Sequence, residues 1–267
     1  MAKSTVLQTM AGSVMSAGRA SIERHVFLLQ HPGSSTSWPS KLELDPAHPL
    51  SKLQHHLDRK TTHVTAIEPV CPLSLEFTRT ALSENPIACL DFNGASEGKL
   101  TAATTVSNII ESSDIGTSLD GTDLMVCLHG ARDQRCGVLG PALIERLSQE
   151  AVASGLKVRL WGASHYGGHR FAPNALVFPG GHWFGMLDYF GNDKDLLSAL
   201  SGLSMLTNGD NLAPVCSQLR QFWRGRMGMT KEDQLRAAGE LQNSQAHSDG
   251  LMVHKSTSRP STDRGAT

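Results

Sequence analysis

Between Cys127 and His169 the chain gathers two cysteines and two histidines into two short groups, Cys127-Leu128-His129-Gly130-Ala131-Arg132-Asp133-Gln134-Arg135-Cys136 and His165-Tyr166-Gly167-Gly168-His169. Two thiols and two imidazoles make a four-donor set of the kind that holds a soft metal or an iron–sulfur cluster. The groups are separated by 28 residues, so the set works only in a fold that returns the chain and brings two loops to one place. The remainder of the sequence is read as scaffold for that convergence.

The residues between the two groups supply such a fold. Leu124-Met125-Val126 is a short apolar strand that delivers Cys127, and the polar, Gly130-containing run after it predicts a loop. A helix follows, with Pro141 near its first turn, a stripe of Leu139, Leu143, Leu147 and Ala151, and Gly155 as C-cap. Val158 to Trp161 is the next strand and runs directly toward His165. If the two strands are parallel neighbours, both loops leave the same edge of an open α/β sheet and the donors can meet. Residues 175–178 and 183–187, joined through Pro179-Gly180-Gly181-His182, predict a hairpin. Asp195 to Leu206 predicts a helix, Cys216 to Trp223 another, and Thr230-Lys231-Glu232-Asp233 opens a final polar helix ending near Gln242.

Ahead of this lies a smaller α/β unit, with strands at 25–29, 63–67 and 87–92, a loop over 32–39 and a short helix over 50–60. The Gly, Ser and Thr content of 94–121 predicts a linker carrying one amphipathic piece at 106–110. Met1 to Ile22 has no acidic residue and places Val6, Met10, Val14 and Ala17 on one helical face, the pattern of a mitochondrial targeting helix or a disordered tail. The expected organisation is thus a tail over 1–22, an N-terminal domain and linker over 24–118, a second domain over 119–243 and a disordered tail over 244–267.

Charge excludes some functions. Lys and Arg total 24 against 25 Asp and Glu, so no global field draws the chain to nucleic acid or an anionic membrane. No apolar run is long enough to span a bilayer, and no compact secretory signal opens the chain, which predicts a soluble intracellular protein. Five cysteines in no regular framework do not suggest a disulfide scaffold. Cys71, Cys89 and Cys216 read as buried or incidental thiols, and His48, His55, His56 and His63 as surface histidines. No Cys-x-x-Cys, dinucleotide fingerprint or paired carboxylates are present, so dithiol exchange, a bound dinucleotide and glycoside hydrolysis find little support.

Within the ligand stretch, the eight residues between Cys127 and Cys136 exceed the two to four of a zinc knuckle and can wrap a larger group. Gly167 and Gly168 allow a sharp turn between the histidines. Arg132 and Arg135 would bring positive charge to the sulfurs, with Asp133 fixing an arginine or the loop.

The pairing of Cys127-x8-Cys136, written CLHGARDQRCG, with HYGGHRFAPN from His165 to Asn174 resembles the signature of the sucrase/ferredoxin-like family, whose fungal members carry C-x8-C and H-x-G-G-H. The likeness spans roughly residues 24–242, is strongest over 123–187, and has an echo in Trp223-Arg224-Gly225-Arg226-Met227-Gly228. It implies a thioredoxin-like ferredoxin domain that binds a 2Fe-2S cluster through Cys127, Cys136, His165 and His169. The expected function is electron transfer or redox regulation; the missing dinucleotide fingerprint implies a separate protein donor or acceptor such as a reductase, and the pattern of residues 1–22 points to the mitochondrion, alternatively the cytoplasm. Two other readings of the residues stay open: a structural Cys2His2 zinc protein, and a cluster-free thiol redox protein using Cys127 or Cys136, alone or with Cys216.

Overall fold

Short apolar runs such as His25-Val26-Phe27-Leu28-Leu29 are buried on both faces, which suits the interior of a sheet covered on two sides. The computed structural model describes residues 22–94, 98–111, 116–191, 195–203 and 218–237. Strands β1 (Arg24–Leu29) and β2 (Thr62–Pro69) are parallel, linked through helix α1 (Pro49–His56), where Pro49 takes the first turn and the His48 ring accepts from Leu50 N–H. Strand β3 (Ile87–Asn93) runs antiparallel to β1, β4 (Lys99–Ala103) to β3, and the two-residue β5 (Thr117–Ser118) to β4.

The second half repeats the plan. Strands β6 (Thr122–Cys127) and β7 (Val158–Ala163) are parallel, with the crossover made by Gln134–Ser154; β8 (Asn174–Phe178) is antiparallel to β6, β9 (His182–Gly185) to β8, and β10 (Trp223–Arg226) to β9. The orders β2-β1-β3-β4 and β7-β6-β8-β9 are the same arrangement, a parallel βαβ unit extended by an antiparallel hairpin. This is the thioredoxin-like α/β plan expected for the second half, and the first half shares it. The equivalent edges β2 and β7 pair antiparallel, Ile67 opposite Ala163 and Glu68 opposite Gly162, so an approximate two-fold rotation relates the halves. The result is one ten-stranded sheet, β10-β9-β8-β6-β7-β2-β1-β3-β4-β5.

Packing crosses the join. Phe27 and Ile67 from the first half share a buried cluster with Met125, Trp161, Tyr166 and Phe178 from the second. Each such side chain contributes about 1.5–3 kcal/mol by leaving water. Ser164 continues the seam past the strands, giving its N–H to Ala66 O and accepting Ala66 N–H on its hydroxyl. No helix among the described residues is long and apolar enough to cross a membrane.

Several expectations are corrected. Residues 99–103, expected as linker, are strand β4; five residues with small side chains give little periodic signal. Helix α2 (Pro72–Ala81) was not expected because its buried stripe is Ser74, Thr78 and Ala81, which carries almost no apolar pattern. Helix α3 (Val106–Glu111) matches the expected amphipathic piece. Residues 220–222 form a 3-10 turn that leads into β10 rather than a helix. His55 and His56 are exposed, but His63 is buried on β2 and His48 is half-buried. Ile22 belongs to the fold: it is buried and its carbonyl accepts from Gly228 N–H. The targeting reading of the residues before it, Cys216, and the two C-terminal stretches 204–206 and 238–267 lie outside the described residues.

Candidate metal centre

Both ligand groups emerge where the sheet sends them. Cys127 ends β6 opposite Ala163 at the end of parallel β7, so the loops that follow leave the same edge side by side. The helix begins earlier than expected: α4 runs Gln134–Ser154, which places Cys136 in its first turn instead of in a loop. Asp133 caps it, accepting from Arg135 N–H, and Gly155 closes it at φ 69°. Close backbone approach fixes the helix start on the strand end, since a Cβ on Gly140 would lie 2.2 Å from Cys127 O.

The donors converge. One donor atom each from Cys127, Cys136 and His165 lies within 4.8 Å of the other two, a grouping able to hold a metal ion. His169 adds its Nδ1 3.4 Å from His165 Nε2, the two rings having centroids 5.2 Å apart. Gly167 (φ 105°) and Gly168 (φ 70°) make the turn between the histidines with left-handed backbone that a side chain resists. Both sulfurs are buried, His165 is half-buried and His169 is exposed.

The thiols are not equivalent. Interaction with the neighbouring Cys127 thiol draws the Cys136 thiol down to about 6 against the opposing effect of burial, with His165 alongside favouring the thiolate further. Cys127 is pushed well above its usual range by that same interaction and by its burial. Cys136 is therefore the first to ionise and the readier soft donor.

Three residues that sequence reasoning missed hold the loops. His129 is buried; its Nε2–H donates to Pro39 O at 2.9 Å and its Nδ1 accepts from His165 N–H at 3.1 Å, so one neutral ring bridges both ligand loops and the other half. Burial lowers its pKa, which keeps Nδ1 an acceptor. Tyr166 is fully buried and its hydroxyl donates to Asn174 Oδ1 at 2.8 Å, while the Asn174 amide donates to Gly168 O at 3.2 Å, pinning the glycine turn to β8. His129 and Tyr166 sit inside the motifs themselves and Asn174 ends the second, which was the available signal.

Arg135 lies near enough to Cys136 for their charges to interact, and Asp133 fixes that arginine, both as expected. Arg135 grips Asp133 through two bonds, holding that carboxyl down at about 2, and Arg132 reaches Ser40 O and the Glu43 carboxylate across the join. Further positive charge borders the histidine loop, where Arg170 and buried Arg224 lie 4.6 and 4.9 Å from the Phe171 ring centre.

Relatives of this chain carry the name altered inheritance of mitochondria protein 32. The protein from Candida glabrata is 29% identical over 206 residues, covering 59% of this chain and 64% of the relative. That from Debaryomyces hansenii is 39% identical over 66 residues, 25% of this chain and 23% of the relative. The Meyerozyma guilliermondii protein is 42% identical over 60 residues, 21% of each chain. The chain thus matches less than two-thirds of the length of these relatives. No solved structure matches. A sequence model of the sucrase/ferredoxin-like family covers residues 17–191, well over half the chain and both ligand groups. The chain belongs to the sucrase/ferredoxin-like family.

Proposed function

We propose that this protein carries a 2Fe-2S cluster, with Cys127 and Cys136 on one iron and His165 and His169 on the other, and serves as an electron carrier or redox regulator. The carrying observation is the arrangement of the four donors: three side chains with donor atoms within 4.8 Å of one another and the fourth 3.4 Å from the third, gathered from the end of β6, the first turn of α4 and the segment after β7 at one sheet edge. The donor chemistry fits the group, since thiolate and imidazole are the iron ligands of mixed Cys/His centres. When bound, such a cluster supplies reversible one-electron exchange. The chain's own residues bury the sulfurs and leave His169 at the surface, so the histidine edge is where a protein donor or acceptor would meet it. The name these relatives carry supports action in or beside mitochondria.

A second reading, thiol redox chemistry without a cluster, is favoured by one observation: Cys136 sits in the first turn of α4 with its thiol drawn down to about 6 and the Cys127 thiol within 4.8 Å.

The test is an absorption and electron-spin-resonance spectrum of anaerobically purified full-length protein. A visible band and a reduced-state signal with nitrogen coupling are expected. Colourless protein that retains zinc overturns the cluster, and disulfide-reducing activity in metal-free protein establishes the second reading. In the His165→Cys and His169→Cys variants the potential is expected to fall, because an added thiolate places more negative charge on iron.

A further inference from the structure

Resting on the cluster reading, the arrangement around His165 points to a role for the half of the molecule that carries no ligand. The His165 ring turns Nε2 toward His169, and its other nitrogen, Nδ1, is buried without a hydrogen-bond partner. On α1 of the first half, the side-chain carbonyl oxygen of Gln54 is likewise buried without a partner. Both residues line one cavity of about 80 Å³ at the join between the halves, whose walls also include Glu43, His63, His129 and Arg132.

Chemistry pairs the two orphans. A neutral imidazole that gives Nε2 to a metal carries its proton on Nδ1, and a ligating histidine nearly always donates that outer N–H to a carboxylate, a carbonyl or water. Gln54 Oε1 can only accept. A donor and an acceptor therefore face a polar space large enough for a few waters, each of which needs two or more polar partners. Of the other acceptors on these walls, His129 Nδ1 takes the His165 backbone N–H, Ser164 Oγ takes the Ala66 backbone N–H, and the Glu43 side chain, 41% exposed, lies 4.0 Å from Arg132.

We propose that Gln54 is a positioning residue of the metal centre, accepting the His165 Nδ1–H through water held in this cavity, so that the ligand-free half sets the orientation and basicity of one histidine. His129 fixes the His165 backbone from Pro39, and Gln54 fixes its ring.

The experiment compares full-length wild type with Gln54→Leu and Gln54→Glu. In cluster-loaded protein, pulsed electron-spin resonance in deuterated buffer reads the exchangeable proton on the His165 ring, and redox titration reads the potential. Gln54→Leu is expected to weaken that proton's coupling and raise the potential, because the imidazole loses its acceptor; Gln54→Glu is expected to keep the coupling and lower the potential. In metal-free protein, nitrogen NMR of the ring is expected to show the proton on Nδ1 in wild type and a shift toward the Nε2 tautomer in Gln54→Leu. If wild type shows the nitrogen-coupled cluster signal while both variants keep its potential, proton coupling and tautomer, this proposal is overturned and the cluster stands. Equal shifts in both variants also overturn it, being what general loosening would give. A wild type without the cluster signal overturns the cluster reading itself.

Discussion

The two halves of this sheet share one plan and have been put to different use. In the second half, the stretch between the first strand and its helix is short, residues 128–133, and it is bracketed by the two cysteines. In the first half the corresponding stretch runs over 30–48, contains no cysteine, and lies across the join on the other half's ligand loop. It offers Pro39 O to His129, Ser40 O to Arg132, and the Trp38 ring to the His129 ring at 5.6 Å. Ser35 in the same stretch secures itself with two bonds to buried Glu68 on β2. A thioredoxin-like unit can thus either present donors at its strand ends or serve as the outer shell for a unit that does. The approximate two-fold relation at β2–β7 is what sets one loop opposite the other.

The sharpest break of the comparison is by cysteine. Cys127→Ser or Cys136→Ser is expected to abolish the assembled cluster, because a serine hydroxyl is not the soft thiolate donor the site offers. Cys71→Ser and Cys89→Ser, in the first half, are expected to leave the visible spectrum in place, with buried Cys89 losing about 1 kcal/mol of stability for its new hydroxyl. Loss of the spectrum in the latter pair would mean that the first half also supplies a ligand.

Glycines test the same contrast through packing. Gly140→Ala puts a Cβ 2.2 Å from Cys127 O and 2.9 Å from Leu128 Cδ2, where backbone cannot yield, so α4 must lift off the strand end. The expected loss is about 3 kcal/mol in urea unfolding, with reduced cluster content. Gly33→Ala in the first half meets nothing within 4 Å and strains only a φ of 81°. It is expected to cost about 1–2 kcal/mol and to leave cluster content unchanged. Equal cluster loss in both would deny that the strand–helix junction is the critical support.

Acid acts on the second half through His182. Burial, with a smaller effect of Arg226, lowers its pKa from 6.5 to about 3, and its Nδ1 accepts from Trp223 Nε1–H, a bond a protonated ring cannot make. The folded-state pKa lies below the unfolded one, so its contribution is full above pH 6.5 and is lost as pH falls toward 3. Stability should decline by about 1.4 kcal/mol per pH unit in that window. Urea titrations at pH 7 and 5 measure it, and His182→Gln should flatten the dependence. An unchanged slope in that variant would assign the acid sensitivity elsewhere.

The smallest effect is expected at the start of the chain: removing residues 1–21, which precede buried Ile22, should leave the cluster spectrum as it was. Altered organelle distribution on removal would establish those residues as an address.

What the sequence carried was local. Donor identities and spacing were legible, as were the apolar runs before each group, because a strand announces itself in its own side chains and a loop in its glycines and charges. From those alone the meeting of Cys127, Cys136, His165 and His169 at one sheet edge could be anticipated. Helix α2 escaped because Ser74 and Thr78 face inward, and the start of α4 because Asp133, Gln134 and Arg135 read as loop while serving as cap and first turn. Tertiary structure alone decided that the two halves form one sheet, that His129 bonds a carbonyl 90 residues away, and that Gln54 and His165 border the same cavity. Edge pairing and buried polar partnership depend on which surfaces meet, and the energy that selects them, the cost of leaving a backbone edge or a polar atom unpaired, is spread over residues far apart in the chain.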